Sequence, residues 1–252
     1  MPEAYDGFAS HFDAWQQAFG GAYDDLILPR LLAALARHPR PVRRVVDLGI
    51  GTGDLVVALA RAGYTVVGVD RSRPMLDVAR AKIAAAGLDA AATLLRQDIR
   101  ELRLDAPADA ACCVYTVANQ LTGDDDLARA LAAVHDALVP GGLLLCEVNL
   151  PEAYARYWSE VETIALPDAV VTREHARLAG SAILEARVTI RRHDGTTVSD
   201  RIAQRPYGDA ELEAAFAGAG FGVTGVERFN PFDAAGPAVK ALWNAQRVPE
   251  RA

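Results

Sequence analysis

The chain is poor in the residue types that build disulfide-bonded or metal-binding proteins. Its 252 residues include only three cysteines. Two of them, Cys112 and Cys113, are adjacent, so within a strand their side chains point to opposite faces and do not converge on a metal. Because no Cys-x-x-Cys pair occurs, we expect buried thiols in a reducing cytoplasm and no metal site.

Positive charge and long apolar runs are also missing. The net charge of −7 disfavours a nucleic-acid groove or an anionic membrane surface as the main partner. No run approaches the ~18 consecutive apolar residues of a membrane-spanning helix, and the first residues lack a basic start followed by an apolar stretch. Since 51% of the residues are hydrophobic, a full core can still form, and we expect a globular cytoplasmic protein.

The most informative stretch covers residues 45–54. A β-branched pair leads to Asp47, after which Gly49, Gly51 and Gly53 alternate with other residues, and an apolar helical pattern follows. This order predicts a buried strand, a tight turn and the start of a helix. Glycine is needed in such a turn because a Cβ atom would hold a ligand away from the backbone.

The glycine spacing distinguishes between two possible classes of cofactor. A dinucleotide-binding fingerprint, Gly-x-Gly-x-x-Gly, would have its third glycine at position 54, where the chain has Asp54. A carboxylate at that helix start would repel a pyrophosphate, so an NAD-dependent oxidoreductase is disfavoured. The pattern Asp-x-Gly-x-Gly-x-Gly over residues 47–53 instead resembles motif I of the class I S-adenosylmethionine-dependent methyltransferases.

Further features similar to this family follow in the expected order along the chain. They are a second strand ending at Asp70, Met75 in the first turn of a helix capped by Ser72, Asp98 and Ile99 after a third strand, Leu-x-Pro-Gly-Gly at residues 138–142 before a fifth strand, and Ala219-Gly220-Phe221 before the last strands. Each feature alone is weak, but their order makes the resemblance specific over residues 45–150.

The alternating strands and helices predict an α/β fold with a doubly wound, mostly parallel sheet. The resemblance implies that this sheet is Rossmann-like and seven-stranded, with residues 41–150 as the cofactor-binding core. We expect a helical lid at residues 1–40, a small antiparallel hairpin insertion after strand five at 151–207, and a helix with the last strands at 208–252. The hairpin is predicted from alternating residues on both sides of Asp194-Gly195.

The cofactor implied by the resemblance is S-adenosylmethionine. An acid at the end of the second strand can accept both ribose hydroxyls, which assigns this role to Asp70. In the family, residues at the positions of Met75 and Ile99 pack on adenine, and Asp98 would bind its amino group. The predicted cofactor contacts are Asp47, Gly49, Gly51, Gly53, Asp70, Met75, Asp98, Ile99, Tyr115 and Thr116.

The acceptor site is marked more weakly. The pattern Tyr5-x-x-Phe8-Ala9-x-x-Phe12-Asp13 is similar to an N-terminal pattern of the family, although packing is the alternative for each aromatic residue. Glu147 and Asn149 alternate at the end of strand five and would point to one side. We predict Tyr5, Tyr23 and Asn149 as catalytic residues, and Trp15, Glu147, Trp158 and Arg205 as acceptor-binding residues, with Arg205 gripping a carboxylate.

These observations favour a methyltransferase that acts on nitrogen or oxygen of a small-molecule acceptor. Methyl transfer is an in-line displacement, which requires the nucleophile about 3 Å from the methyl carbon but no protein nucleophile or metal. The alternative is a non-catalytic protein that binds S-adenosylmethionine or S-adenosylhomocysteine. The expected partner is a small-molecule methyl acceptor, and the hairpin insertion also suits a homodimer contact.

Overall fold

The computed structural model describes residues 5–20, 23–158, 161–177 and 180–248, with the backbone alone at residues 19, 20, 23 and 24. Within these ranges the chain forms two β-sheets and a set of helices that cover them. No helix in the described part of the chain combines the length and the apolar character needed to cross a membrane.

The strands are β1 (Arg44–Leu48), β2 (Thr65–Asp70), β3 (Ala92–Arg96), β4 (Ala108–Cys113), β5 (Leu138–Asn149), β6 (Val161–Ala165), β7 (Ala169–Arg177), β8 (Leu184–Arg192), β9 (Thr197–Gln204), β10 (Phe221–Phe229) and β11 (Lys240–Arg247). The α-helices are α1 (Phe12–Gly20), α2 (Tyr23–Arg37), α3 (Asp54–Arg61), α4 (Arg73–Ala85), α5 (Asp126–Ala137), α6 (Pro151–Tyr157) and α7 (Asp209–Gly218). Short 3-10 helices cover Ala9–His11, Ile99–Glu101 and Ala118–Gln120.

The larger sheet has seven strands in the order β10-β11-β5-β4-β1-β2-β3. Strands β1 to β5 pair in parallel, whereas β11 runs antiparallel to both of its neighbours. This confirms the predicted mostly parallel, seven-stranded α/β fold. The order reverses at β1, between β2 and β4, and open α/β sheets bind ligands at the carboxyl ends of the strands at such a point.

Alternating residues of the central strand bury their side chains on opposite faces of the sheet. Val45 packs with α2, α3 and α4, whereas Val46 packs with α5 and α7. Both valines have no exposed surface, so helices cover the two faces completely at β1. The adjacent glycine loop is therefore held on a rigid base.

Close packing makes Gly68 in β2 a sensitive position. A Cβ atom there would lie 2.8 Å from Leu94 Cδ2, 3.0 Å from Ile50 Cδ1 and 3.1 Å from Val56 Cγ2. We expect Gly68→Ala to destabilise the protein by ~1–3 kcal/mol, the usual cost of overpacking a core. Urea denaturation measures the change. Gly218→Ala is the control, because a Cβ atom there meets no other atom within 4 Å; equal stability of the two variants would contradict the packing.

The second sheet is larger than predicted. It contains four antiparallel strands in the order β6-β7-β8-β9, where the sequence predicted a single hairpin. The predicted hairpin is β8–β9, with Gly195 at a φ of +88° in its turn. The predicted apolar face of β8 is buried at Leu184, Ala186, Val188 and Ile190. Strands β6 and β7 were missed as a pair because their polar and apolar residues alternate less clearly.

The N-terminal segment, residues 5–20, packs against this second sheet. Phe8 is 1% exposed and belongs to the same apolar cluster as Val171, Val188 and Ile190. Asp6 accepts a hydrogen bond from Ser72 Oγ at 2.7 Å, which ties the segment to the first sheet. By contrast, α2 packs into the core of the first sheet. The part of the predicted 1–40 lid that reaches the cleft therefore precedes α2.

Candidate active site

A cavity of about 150 Å³ lies at the carboxyl ends of β1, β2 and β4. Most of the residues predicted to contact the cofactor line it. They are Asp47, Gly49, Gly51, Asp70, Met75, Asp98, Ile99 and Tyr115. Sequence positions spread over about 70 residues thus meet at the point where the strand order reverses.

The glycines of the loop serve different purposes. Gly49 has a φ of +69°, and a Cβ atom on it would lie 2.6 Å from a methyl of Val117. Gly53 does not line the cavity, which differs from the prediction. A Cβ atom on Gly53 would lie 2.7 Å from Cβ of Ala79 in α4, so this glycine allows α3 and α4 to approach closely.

Asp70 is the acid at the end of β2. Its Oδ2 accepts the backbone N–H of Gly51 and its Oδ1 accepts that of Ser72, both at 2.8 Å. Burial raises the pKa of Asp70, and the N–H groups of Ser72 and Gly51 lower it. Each carboxylate oxygen has a second lone-pair site, so Asp70 can accept ribose hydroxyls while it holds the glycine loop.

Asp98 follows β3 and caps the 3-10 helix that starts at Ile99. Arg100 donates from its backbone N–H and from Nε to Asp98 Oδ1, both at 2.9 Å. The side-chain hydrogen bond from Arg100 holds the pKa of Asp98 below its ordinary value. Asp98 therefore remains an ionised acceptor at the cavity wall, as a partner for an amino group requires.

Asp47, at 2% exposed, lies at the inner end of the same cavity. Its Oδ2 is buried and has no hydrogen-bond partner within the described ranges. Burial, with a smaller contribution from the charge of Asp70, raises the pKa of Asp47 to about 8. A ligand that brings a cationic group to this oxygen would satisfy it and favour its ionised form.

The raised pKa of Asp47 predicts how stability depends on pH. In the unfolded chain this carboxyl ionises near pH 4, but in the folded protein it stays protonated until about pH 8. The folded wild type therefore loses stability as pH rises through this window. We expect the free energy of unfolding of Asp47→Asn to equal that of the wild type near pH 4. Near pH 9 it should exceed the wild-type value by several kcal/mol, on the order of 1.4 kcal/mol for each unit by which folding raises the pKa. Urea denaturation across this range measures it; a constant difference between the two proteins would contradict the assignment.

The ion pairs around Asp54 correct one argument made from the sequence. Lys82 Nζ lies 2.7 Å from Asp54 and 2.6 Å from Asp13. The carboxylate at the start of α3 is therefore compensated, and it repels a phosphate less than the sequence indicated. The argument against a dinucleotide rests on the glycine spacing and not on this charge.

A second cavity of about 190 Å³ adjoins the first. Both cavities are lined by Tyr5, Phe12, Gln16 and Tyr115. The second also contains residues that were predicted to contact the acceptor. They are Trp15, Asn149 and Trp158. The N-terminal segment, residues 5–20, and the second sheet thus contribute walls to a chamber beside the predicted cofactor cavity.

The backbone between the two cavities is strained. Tyr115 and Thr116, which follow β4, have φ values of +58° and +64°. Such left-handed conformations cost ~1–3 kcal/mol each in residues other than glycine. Thr116 was predicted as a cofactor contact, but it lines the second cavity and not the first. Its left-handed backbone places it at the second cavity.

Glu147 has a role different from the one predicted. It is completely buried and lines neither cavity. Lys240 Nζ donates to Glu147 Oε1 at 2.6 Å and to Asn149 Oδ1 at 2.7 Å. Glu147 Oε2 accepts the backbone N–H of Thr116 at 3.3 Å. Glu147 therefore supports the strained backbone from beneath, and Asn149 is the member of the predicted pair that reaches the cavity.

Arg205 was predicted to bind the acceptor, but it lines neither cavity. Its Nη2 donates to Glu211 at 2.6 Å, and its guanidinium lies 4.7 Å from the centre of the Tyr207 ring. Neighbours in the sequence thus hold it away from the site. Tyr23 starts α2, and its side chain lies outside the described part of the structure.

Several lining residues were not predicted. They are Gln16, Tyr154, Arg173, Gln204, Phe232 and Lys240. Lys240 carried a weak signal, because a lysine immediately precedes the apolar run Ala241-Leu242-Trp243 in β11. The others come from α1, α6, the second sheet and a loop after β10, whose position over the cleft has no local sequence signal.

The fold and the site define a class of protein: a Rossmann-like α/β protein with a cleft at the carboxyl ends of its parallel strands. Comparison with known proteins narrows this class. Residues 45–142 match the family described as a methyltransferase domain. The cypemycin N-terminal methyltransferase of a Streptomyces species is 30% identical over 203 residues, which cover 78% of this chain and 80% of that protein. The chain therefore belongs to the class I S-adenosylmethionine-dependent methyltransferases.

Two further proteins are similar over most of the chain. The dTDP-3-amino-3,4,6-trideoxy-alpha-D-glucopyranose N,N-dimethyltransferase of Streptomyces venezuelae is 28% identical over 203 residues, covering 78% of this chain and 83% of that protein. An S-adenosylmethionine-dependent methyltransferase from Clostridium acetobutylicum has the same fold, with a TM-score of 0.79 at 18% identity over 97% of this chain and 99% of that one.

Proposed function

We propose that this methyltransferase transfers a methyl group from S-adenosylmethionine, bound in the first cavity, to nitrogen or oxygen of a small-molecule acceptor bound in the second. One observation carries the proposal: the two cavities adjoin and share the wall formed by Tyr5, Phe12, Gln16 and Tyr115. A donor in the first cavity and an acceptor in the second would lie next to each other at these shared residues, as an in-line displacement requires.

The first cavity has the groups that the cofactor needs. Asp70 would accept the ribose hydroxyls, Met75 and Ile99 would pack on adenine, and Asp98 would accept from its amino group. The unpartnered oxygen of Asp47 and the backbone of Gly49 would face the methionine portion, which carries two positive charges. When bound, S-adenosylmethionine supplies a methyl group activated by its sulfonium.

The residues of the second cavity orient the acceptor and exclude water. In the described part of this lining there is no aspartate, glutamate or histidine to act as a general base. Burial raises the pKa of Tyr5 and of Tyr154, so both remain phenols and serve as hydrogen-bonding groups. We therefore expect an acceptor atom that arrives in its unprotonated, nucleophilic form.

The names of two relatives support nitrogen as the acceptor atom. One is an N-terminal methyltransferase and the other is an N,N-dimethyltransferase of an amino sugar. A neutral amine is also a nucleophile that needs no base. Oxygen is retained as the second possibility, because an oxyanion meets the same requirement.

The proposal is tested by binding and turnover of the wild-type protein. In calorimetry, we expect S-adenosylhomocysteine to bind and NADH to give no response. With a panel of small amines and hydroxyl compounds, we expect the protein to convert S-adenosylmethionine to S-adenosylhomocysteine in the presence of some of them. Binding without turnover on any acceptor would favour the non-catalytic alternative. Binding of NADH in place of the adenosyl ligand would overturn the proposal.

A further inference from the structure

We propose that the methyl acceptor carries an anionic group, a carboxylate or a phosphate, and that Arg173 and Lys240 bind this group in the second cavity. The inference rests on the proposed function, because it takes the second cavity as the acceptor site. It defines the acceptor by charge, which the overall composition of the chain does not predict.

The charged residues that line the cavity have one sign. Arg173 and Lys240 are the cationic lining residues, and no carboxylate side chain is among the described residues of the lining. The protein as a whole has a net charge of −7, which would favour a cationic acceptor. Among the described lining residues, the charged side chains that a ligand meets are the two cations.

The ion pair of Lys240 has its positive end towards the cavity. Its partner Glu147 is completely buried and does not line the cavity, whereas Lys240 does. Lys240 also donates to Asn149 Oδ1 at 2.7 Å, and Asn149 is itself a lining residue. The ammonium is therefore fixed at the wall by acceptors that lie beneath and beside it.

The ion pair of Arg173 has the same orientation. Arg173 Nε and Nη2 donate to Glu162 Oε2 at 2.9 and 2.5 Å, and Glu162 is absent from the lining. The guanidinium lies 5.5 Å from the centre of the Trp15 ring, which restricts it further. A guanidinium held in this way is preorganised to bind a carboxylate or a phosphate.

Aromatic residues in the lining could instead indicate a cage for a cation. However, cations of the protein already lie over two of these rings: Arg173 over Trp15, and Arg156 over Tyr157 at 5.8 Å. In addition, the Nε1–H of Trp158 is a buried donor with no acceptor among the described residues. The described lining thus combines two cationic side chains, whose carboxylate partners do not line the cavity, with aromatic rings, which suits an anion with a ring that packs on the aromatic side chains.

The test compares four small ligands of similar size: benzoate, phenyl phosphate, benzamide and benzylamine. Their binding to the protein saturated with S-adenosylhomocysteine is measured by ligand-observed NMR, which detects millimolar affinity. We expect at least one anion to bind about 10-fold more tightly than benzamide, and benzylamine to bind most weakly. The comparison of benzoate with phenyl phosphate identifies the anion.

Matched variants locate the effect. Two variants should each abolish most of the anion preference. One is Arg173→Gln, and the other combines Lys240→Met with Glu147→Gln so that no buried charge is left without a partner. Arg173→Lys should retain part of it. Arg156→Gln is the control, since Arg156 stacks on Tyr157 but does not line the cavity, and it should leave the preference unchanged.

The outcomes separate this inference from the proposed function. Failure of S-adenosylhomocysteine to bind would contradict the proposed function itself. Two results would overturn only the inference while S-adenosylhomocysteine still binds normally. In the first, benzamide or benzylamine binds as tightly as the anions; in the second, neither anion binds. An anion preference that survives in both Arg173→Gln and the double variant would also overturn it.

Discussion

Asp70→Ala is expected to lower the affinity for S-adenosylmethionine and S-adenosylhomocysteine by about 100-fold or more. Hydrogen bonds to a charged group contribute ~1.5–3 kcal/mol each, and this carboxylate would make two of them with the ribose. The substitution also removes the acceptor that holds the N–H groups of Gly51 and Ser72 at 2.8 Å, so the glycine loop loses its anchor. Titration calorimetry of the purified variant measures the loss directly.

Asp77→Ala is the matched control for this prediction. Asp77 is a half-exposed acid on α4 that pairs with Arg80 at 2.7 Å on the surface, away from the cavity lining. We expect its removal to change cofactor affinity by less than about twofold, since surface ion pairs contribute little. Equal affinity of Asp70→Ala and Asp77→Ala would show that the acid at the end of β2 does not hold the cofactor.

Glu147→Ala is expected to have the largest effect on stability, a loss of ~3–5 kcal/mol in the free energy of unfolding. The reason is that Lys240, 7% exposed, would be left as a buried cation without its 2.6 Å partner. The substitution also removes the oxygen that accepts the N–H of Thr116, so the strained segment between the cavities loses its support. Chemical denaturation measures the loss of stability.

Two further variants test the cause of this loss. Glu147→Ala combined with Lys240→Met should recover much of the stability, because the uncompensated charge is then gone. Glu162→Ala breaks an ion pair whose partners are 20% and 13% exposed, and we expect a smaller cost than for Glu147→Ala. If Glu147→Ala lowers the free energy of unfolding by less than ~1 kcal/mol, the Glu147–Lys240 ion pair is not a buried, coupled pair.

Much of the first cavity could be predicted because its signals are local. Each predicted contact lies at the end of its own strand, as Asp70 ends β2 and Asp98 comes shortly after β3, and parallel strands bring their carboxyl ends to one edge. A turn that requires glycine, such as the one at Gly49, is also visible in the sequence. Local pattern and family order together therefore placed most of the predicted contacts at this cavity.

The second cavity could not be predicted in the same way, because its residues meet through long-range packing. Lys240 lies 93 positions from Glu147, and the two meet only because β11 pairs antiparallel with β5. Arg173 comes from a strand that the sequence did not reveal as part of a four-stranded sheet. Arg205 shows the opposite error: a cationic residue near the expected cleft is bound by Glu211, its neighbour in sequence.

The measurement that tests the central claim most directly is a crystal structure of the protein with S-adenosylhomocysteine. The account predicts the ribose on Asp70, the adenine between Met75 and Ile99, and the thioether sulfur directed past Tyr115 towards the second cavity. A ligand bound outside the first cavity, or with its sulfur directed away from the second, would contradict the assignment of one cavity to the methyl donor and the other to the acceptor.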